Sequence, residues 1–169
     1  MSHATAAKDQ METTRTGHRV ELNLLSHPGL LRKARIALEE YGREMGLNGT
    51  QTDRIGLALN EALANVMCHG YGGATDKPIQ VVFDRRGQGA DMELVVTIRD
   101  WAPPFDPSTL PNDPPPPDPD NIKPGGLGLL CMRKLMDQVH FAAQADGMLL
   151  TMTKKVSTQE STQERCSVQ

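Results

Sequence analysis

Glu61 and Asn65 stand four residues apart in "NEALANVMCHGYG", residues 60–72, a run otherwise built largely from Leu, Ala, Val and Met. At about 100° per residue they share a helical stripe with Arg54 and Cys68, roughly 120° from Ile55, Leu59, Ala62 and Val66. An isolated E-x-x-x-N is ordinarily a solvated face. Here the pair is not an ion pair, and Leu57, Ala58 and Ala64 on the same stripe are apolar. A solvent-facing stripe would carry more charge. A carboxylate and an amide on adjacent turns can instead supply a general base and a neutral oxygen ligand for Mg2+.

Two further features point the same way. "GGLG", residues 125–128, opens a helix, and its free N–H groups with the positive end of the helix dipole suit phosphates. Alone it is a weak signal, and no G-x-x-x-x-G-K-[ST] occurs anywhere in the chain. Asp100 ends the strand-like run "VVTIRD". A carboxylate there is either an exposed strand end or, in a cleft, an acceptor for an amino group such as that of adenine.

The elements that must position these residues follow from periodicity. "RVELNLL" (19–25) alternates as a strand, and residues 28–47 and 51–69 read as two helices, the second closed by Gly70, Gly72 and Gly73. Residues 79–86 and 92–100 read as strands joined through "GQGAD", a hairpin turn. Ten of the twelve prolines lie between Pro103 and Pro124, so that segment is an extended, stiff loop. After it Leu129, Met132, Leu135, Met136 and Val139 stand at core spacing, and "VHFAAQA" and "MLLTMTKKV" form a hairpin around "DG". The polar stretches 1–18 and 157–169, the latter with "STQE" twice, are expected to be disordered. The order β-α-α-β-β-loop-α-β-β predicts an α+β two-layer sandwich, its sheet mostly antiparallel and its helices on one face.

Composition sets the outer bounds. The 169 residues, 38% hydrophobic and 23% charged, suit one soluble globular domain. A net charge of −3 argues against general nucleic-acid affinity. No apolar run approaches the ~18 residues of a membrane span, and the N-terminus shows no apolar signal region. Cys68, Cys131 and Cys166 are widely spaced and form no C-x-x-C, which disfavours a disulfide framework or a zinc site. A cytoplasmic setting is expected.

Taken in order, "EALAN" with "HGYG", "RDWAPPFDP" and "GGLGLLCMRKLMD" resemble the N, G1 and G2 boxes of the GHKL (histidine kinase-like) ATPases. With the ending "LTMTKK", the variant is most similar to the RsbW/SpoIIAB-type anti-sigma factors, which are serine-protein kinases. The resemblance covers residues 19–156, with a lid at about 101–124. It implies ATP and Mg2+ as cofactors, Glu61 as the base that activates a serine hydroxyl or a water, and Asn65 as the Mg2+ ligand. It further implies Asp100 on the adenine amino group, with Ala102 beside it. Gly126, Leu127 and Gly128 would lie along the phosphates, and Gly125 would act as the lid hinge. The implied partners are a small STAS-like antagonist (anti-anti-sigma) protein, which would be phosphorylated, and a sigma factor or analogous regulator, which would be sequestered. Members of the family often dimerise, so a homodimer is admitted. No direct nucleic-acid or membrane contact is implied.

The chain departs from the family pattern at two places. D-x-G-x-G is here Asp100-Trp101-Ala102-Pro103-Pro104, so Ala102 and the prolines stiffen the backbone beside the base. Met148, Leu149 and Leu150 stand where many members place a threonine. The second departure predicts modest nucleotide affinity, and the altered box favours the alternative of an ATP-binding partner-switching module without kinase turnover. Retention of both Glu61 and Asn65 favours the kinase. A detached histidine-kinase catalytic domain is a third reading, and His69 reads as a helix-closing residue.

Overall fold

The computed structural model describes residues 10–111 and 126–156. The "PPPPDP" run, Gly125, the first nine residues and the tail from Ser157 lie outside the described residues. Six strands, β1 (Met11–Thr16), β2 (Arg19–Leu25), β3 (Pro78–Arg86), β4 (Glu93–Asp100), β5 (Gln138–Gln144) and β6 (Gly147–Lys155), form one sheet. Its order is β1-β2-β3-β4-β6-β5, and every pairing is antiparallel. Helices α1 (Leu30–Glu44), α2 (Gly49–Asn65) and α3 (Gly126–Leu135) supply the α layer of the α+β sandwich, with short 3-10 turns at Gly89–Asp91 and Pro107–Thr109.

Cross-strand register explains the core. Val20, Phe83, Val96 and Met152 form one row across four strands, and Leu22, Val81, Ile98 and Leu150 form the next. All eight are buried against the helices, as alternation requires of a sheet covered on one face. Truncating a fully buried member such as Leu22 or Phe83 to alanine would cost about 2–5 kcal/mol. The third row reads Leu24, Ile79, Asp100 and Met148. A carboxylate therefore stands on the helix-facing side of the sheet, at the end of an apolar row.

Helix α2 begins where its cap dictates. Asn48 accepts from Gln51 N at 2.9 Å while Gln51 Oε1 accepts from Asn48 N at 3.1 Å, a reciprocal capping box. Ile55, Ala58, Leu59, Ala62 and Leu63 are its buried apolar residues. The helix stops at Asn65, and Val66–Gly70 continue as one π-helical turn, closed by Tyr71 N on Val66 O at 2.8 Å. The expected α-helix to His69 is thus four residues too long. One extra residue in the turn breaks the α period without altering the apolar pattern.

Disorder over residues 1–18 was a wrong expectation for Met11–Thr16, which form edge strand β1. Five of its six residues are exposed, so no alternation marks it in sequence. Pairing with β2 holds it, together with Arg15 on Glu44 at 2.6 and 3.1 Å and Tyr41 Oη on His18 O at 2.7 Å. Helix α1 starts at Leu30 and not Pro28, because His27 and Pro28 form the turn that receives Leu30 and Leu31.

Candidate active site

The site assembles where α2, α3 and the ends of β4 and β6 meet. Gly128 lies in the first turn of α3 and is buried. A Cβ added there would stand 3.1 Å from Glu61 Oε2, 3.2 Å from Asn65 Nδ2 and 3.3 Å from Asn65 Oδ1. The α3 backbone thus rests on the two polar groups of α2, and a side chain at this position would have to push their ends aside by a few tenths of an ångström. Glu61 and Asn65 are both half-buried, whereas Arg54 and Cys68 of the same stripe are exposed. The stripe is split by its neighbour, not uniformly solvated.

Asp100 is buried at 6% exposure and is fixed by backbone donors. Its Oδ1 accepts from Ala102 N at 3.0 Å, and Met148 N also donates to the carboxyl. Burial pushes this carboxyl above its ordinary value of 3.8, against the pull of those donors and of Arg99. Two accepted bonds leave lone pairs for a further donor. Ala102 is buried, and its Cβ would lie 3.1 Å from a Cβ added at Gly70. The alanine of the altered box is accommodated by a glycine at the end of the π-turn.

Gly126 is the first residue of α3 and Leu127 is exposed, so the N–H groups of this first turn lack partners within the helix. The structure therefore brings Glu61, Asn65 and Gly128 together, with Asp100 and Ala102 joined by a hydrogen bond beside Gly70. Gly125 lies outside the described residues. Among the described residues no group of three His, Cys, Asp or Glu could hold a metal ion. Mg2+ keeps several waters and is bound through one or two protein oxygens plus phosphate oxygens, so a single amide on a carboxylate-bearing helix fits it.

Three residues of the site were not expected. Tyr71 Oη accepts from Trp101 N at 2.8 Å and donates to Pro78 O at 2.6 Å. Arg99 donates to the carbonyls of Asp100 and Met148, pairs with Asp146, and lies 4.9 Å over the Trp101 ring. Cys131 follows Gly128 by three residues, and burial, followed by the Glu61 carboxylate, pushes its thiol above the ordinary 9.0. Position three residues after a helix-contact glycine was the only signal for Cys131. His69 is exposed within the π-turn. A separate cavity of about 560 Å3 at the other end of α2 includes Arg54, Asp137 and Lys154 but none of these site residues.

The sequence profile of the histidine kinase-like ATPase domain matches residues 24–154, from β2 to the end of β6. The chain belongs to this family. Within the histidine kinase-like ATPases, it is similar to the serine-protein kinase RsbW of Oceanobacillus iheyensis, 25% identical over 153 residues, covering 83% of this chain and 89% of the relative. The serine-protein kinase RsbW of Bacillus licheniformis is 28% identical over 139 residues, covering 80% and 84%. Among solved structures, the RsbU and RsbW domains of Rv1364c from Mycobacterium tuberculosis align with a TM-score of 0.57 at 20% identity. That alignment covers 82% of this chain and 32% of the other, and shows the shared fold. The expected likeness to RsbW-type proteins and the α+β ATPase fold both stand. Among the described residues no helix is long and apolar enough to cross a membrane.

Proposed function

We propose that the protein is an ATP-dependent serine/threonine-protein kinase that phosphorylates a small STAS-like antagonist and sequesters a sigma factor or analogous regulator. The observation that supports it most is the seating of Gly128 on Glu61 and Asn65, which joins the N and G2 boxes in one place. Glu61 is the base: its carboxylate takes the proton of a target serine as that oxygen bonds to the γ-phosphorus and ADP departs. Asn65 would hold Mg2+ through its amide oxygen, where the ion would supply positive charge to the phosphates. Asp100 accepts from the adenine amino group, with Ala102 alongside, and the α3 N–H groups from Gly126 to Gly128 face the phosphates. In this reading the work is done in the cytoplasm.

The stiffened turn at Ala102 favours a second reading, a partner-switching module that binds ATP without turnover. Incubation with Mg-ATP and a STAS-like protein from the same cell, followed by mass spectrometry, separates the two. The kinase reading expects one phosphorylated serine or threonine on the antagonist. A tight complex with no phosphate transferred supports the module.

A further inference from the structure

The π-turn after Asn65 carries a side chain that reaches the opposite end of the site. Tyr71 caps the turn through its own N–H on Val66 O, and Gly73 N bonds to Met67 O at 2.8 Å behind it. Its ring packs against the core. Its hydroxyl stands between Trp101 N and Pro78 O. The β3–β4 register ends at Ile79 opposite Asp100, so Pro78 and Trp101 are the next rung. In a regular antiparallel ladder, that N–H and carbonyl would bond to each other. The phenol oxygen is inserted between them, accepting from one strand and donating to the other.

We propose that Tyr71 is a positioning residue that fixes the Asp100–Trp101 turn and thereby sets discrimination between adenine and guanine nucleotides. The inference rests on the reading of Asp100 as the base-binding carboxylate. Arg99 holds the Asp100 carbonyl on one side of the peptide, and Tyr71 holds the N–H of the same peptide on the other. The carboxylate is itself tethered to Ala102 N and Met148 N. A carboxylate held at one point accepts from the amino group of adenine. It repels the carbonyl oxygen that guanine presents there. If the peptide loosens, the favourable bond to adenine weakens, while the repulsion of guanine eases. Tyr71 also connects the adenine end to the turn that immediately follows Asn65, so both ends of the site share one support.

Tyr71→Phe removes the hydroxyl and keeps the ring in the core. Affinities for Mg-ADP and Mg-GDP would be measured on wild type and variant by competition against a fluorescent ADP, with thermal melting of each preparation. ADP affinity is expected to fall about five- to tenfold, the worth of one net hydrogen bond, while GDP affinity holds or rises. Tyr71→Leu should give the same loss of selectivity. An unchanged ratio of ADP to GDP affinity overturns the proposal, and so does an equal fall for both nucleotides, which marks a purely structural role. If wild type binds neither nucleotide, the Asp100 reading fails first and the role of Tyr71 falls with it. If wild type binds ADP and only the variant's selectivity is unaltered, the inference about Tyr71 fails alone.

Discussion

Gly128 lies so close to Glu61 that a Cβ placed on it would stand 3.1 Å from the carboxylate oxygen Oε2. Its neighbours there are the ends of the Glu61 and Asn65 side chains, and side-chain ends can move. An alanine there is therefore tolerated by the fold and resisted by the site.

Gly128→Ala separates these two effects. Inside a helix alanine is favoured over glycine by about 0.5–1 kcal/mol. The melting temperature should hold or rise slightly, since displacing two flexible ends costs a comparable amount. Phosphate transfer should fall by at least tenfold, because a misplaced base loses alignment with its target. Differential scanning calorimetry and a transfer assay on one preparation check both. A loss of stability with full transfer would mean that the contact is packing alone.

Asp100 predicts a pH signature in the nucleotide-free protein. Burial raises its carboxyl above 3.8, so the folded chain holds the proton more tightly than the unfolded chain. This contribution to stability is fully present below the unfolded value and is lost as pH rises through the folded one. Asp100→Asn removes the titration. The stability difference between variant and wild type should therefore shift in the variant's favour as pH climbs from 3.8 through the raised value. Urea midpoints at a series of pH values measure it, and a difference that stays constant would contradict the burial of an ionisable group. The same substitution should weaken ADP binding, which links the cost of burying Asp100 to its proposed role.

Tyr41 tests the edge strand. Burial, with the carboxylates of Asp84 and Glu44 adding to it against Arg85 and Arg15, pushes its phenol from 10.0 to about 12. A raised value means stability present below pH 10.0 and lost as pH rises toward about 12. Burial also raises Tyr71, the other phenol of the chain, and absorbance titration should show the Tyr41 step at about 12 as the fold opens. Tyr41→Phe should remove that step and destabilise by about 0.5–1.5 kcal/mol through loss of the bond to His18 O.

Alternation made β2 legible to the residue, because Val20, Leu22 and Leu24 face the core and their neighbours do not. The same logic failed for Met11–Thr16, where polar residues on both faces leave pairing and two contacts from α1 to decide the strand. Three boxes in order pointed to Glu61, Asn65 and Gly128, which the structure places together. The bridge made by Tyr71 was invisible because it links positions 71, 78 and 101, a relation with no period. The π-turn that aims it was likewise hidden, since one added residue leaves the apolar pattern intact.

In the kinase reading Glu61 performs chemistry and does not bind nucleotide. Glu61→Gln keeps shape and hydrogen bonding and removes the base, so transfer to the antagonist should fall by ~10²-fold or more. Affinity for Mg-ADP should remain at the wild-type value in the same preparation. Asn65→Ala provides the contrast, with Mg2+-dependent affinity lost. Transfer by Glu61→Gln at the wild-type rate would contradict the kinase mechanism and leave the partner-switching module in its place.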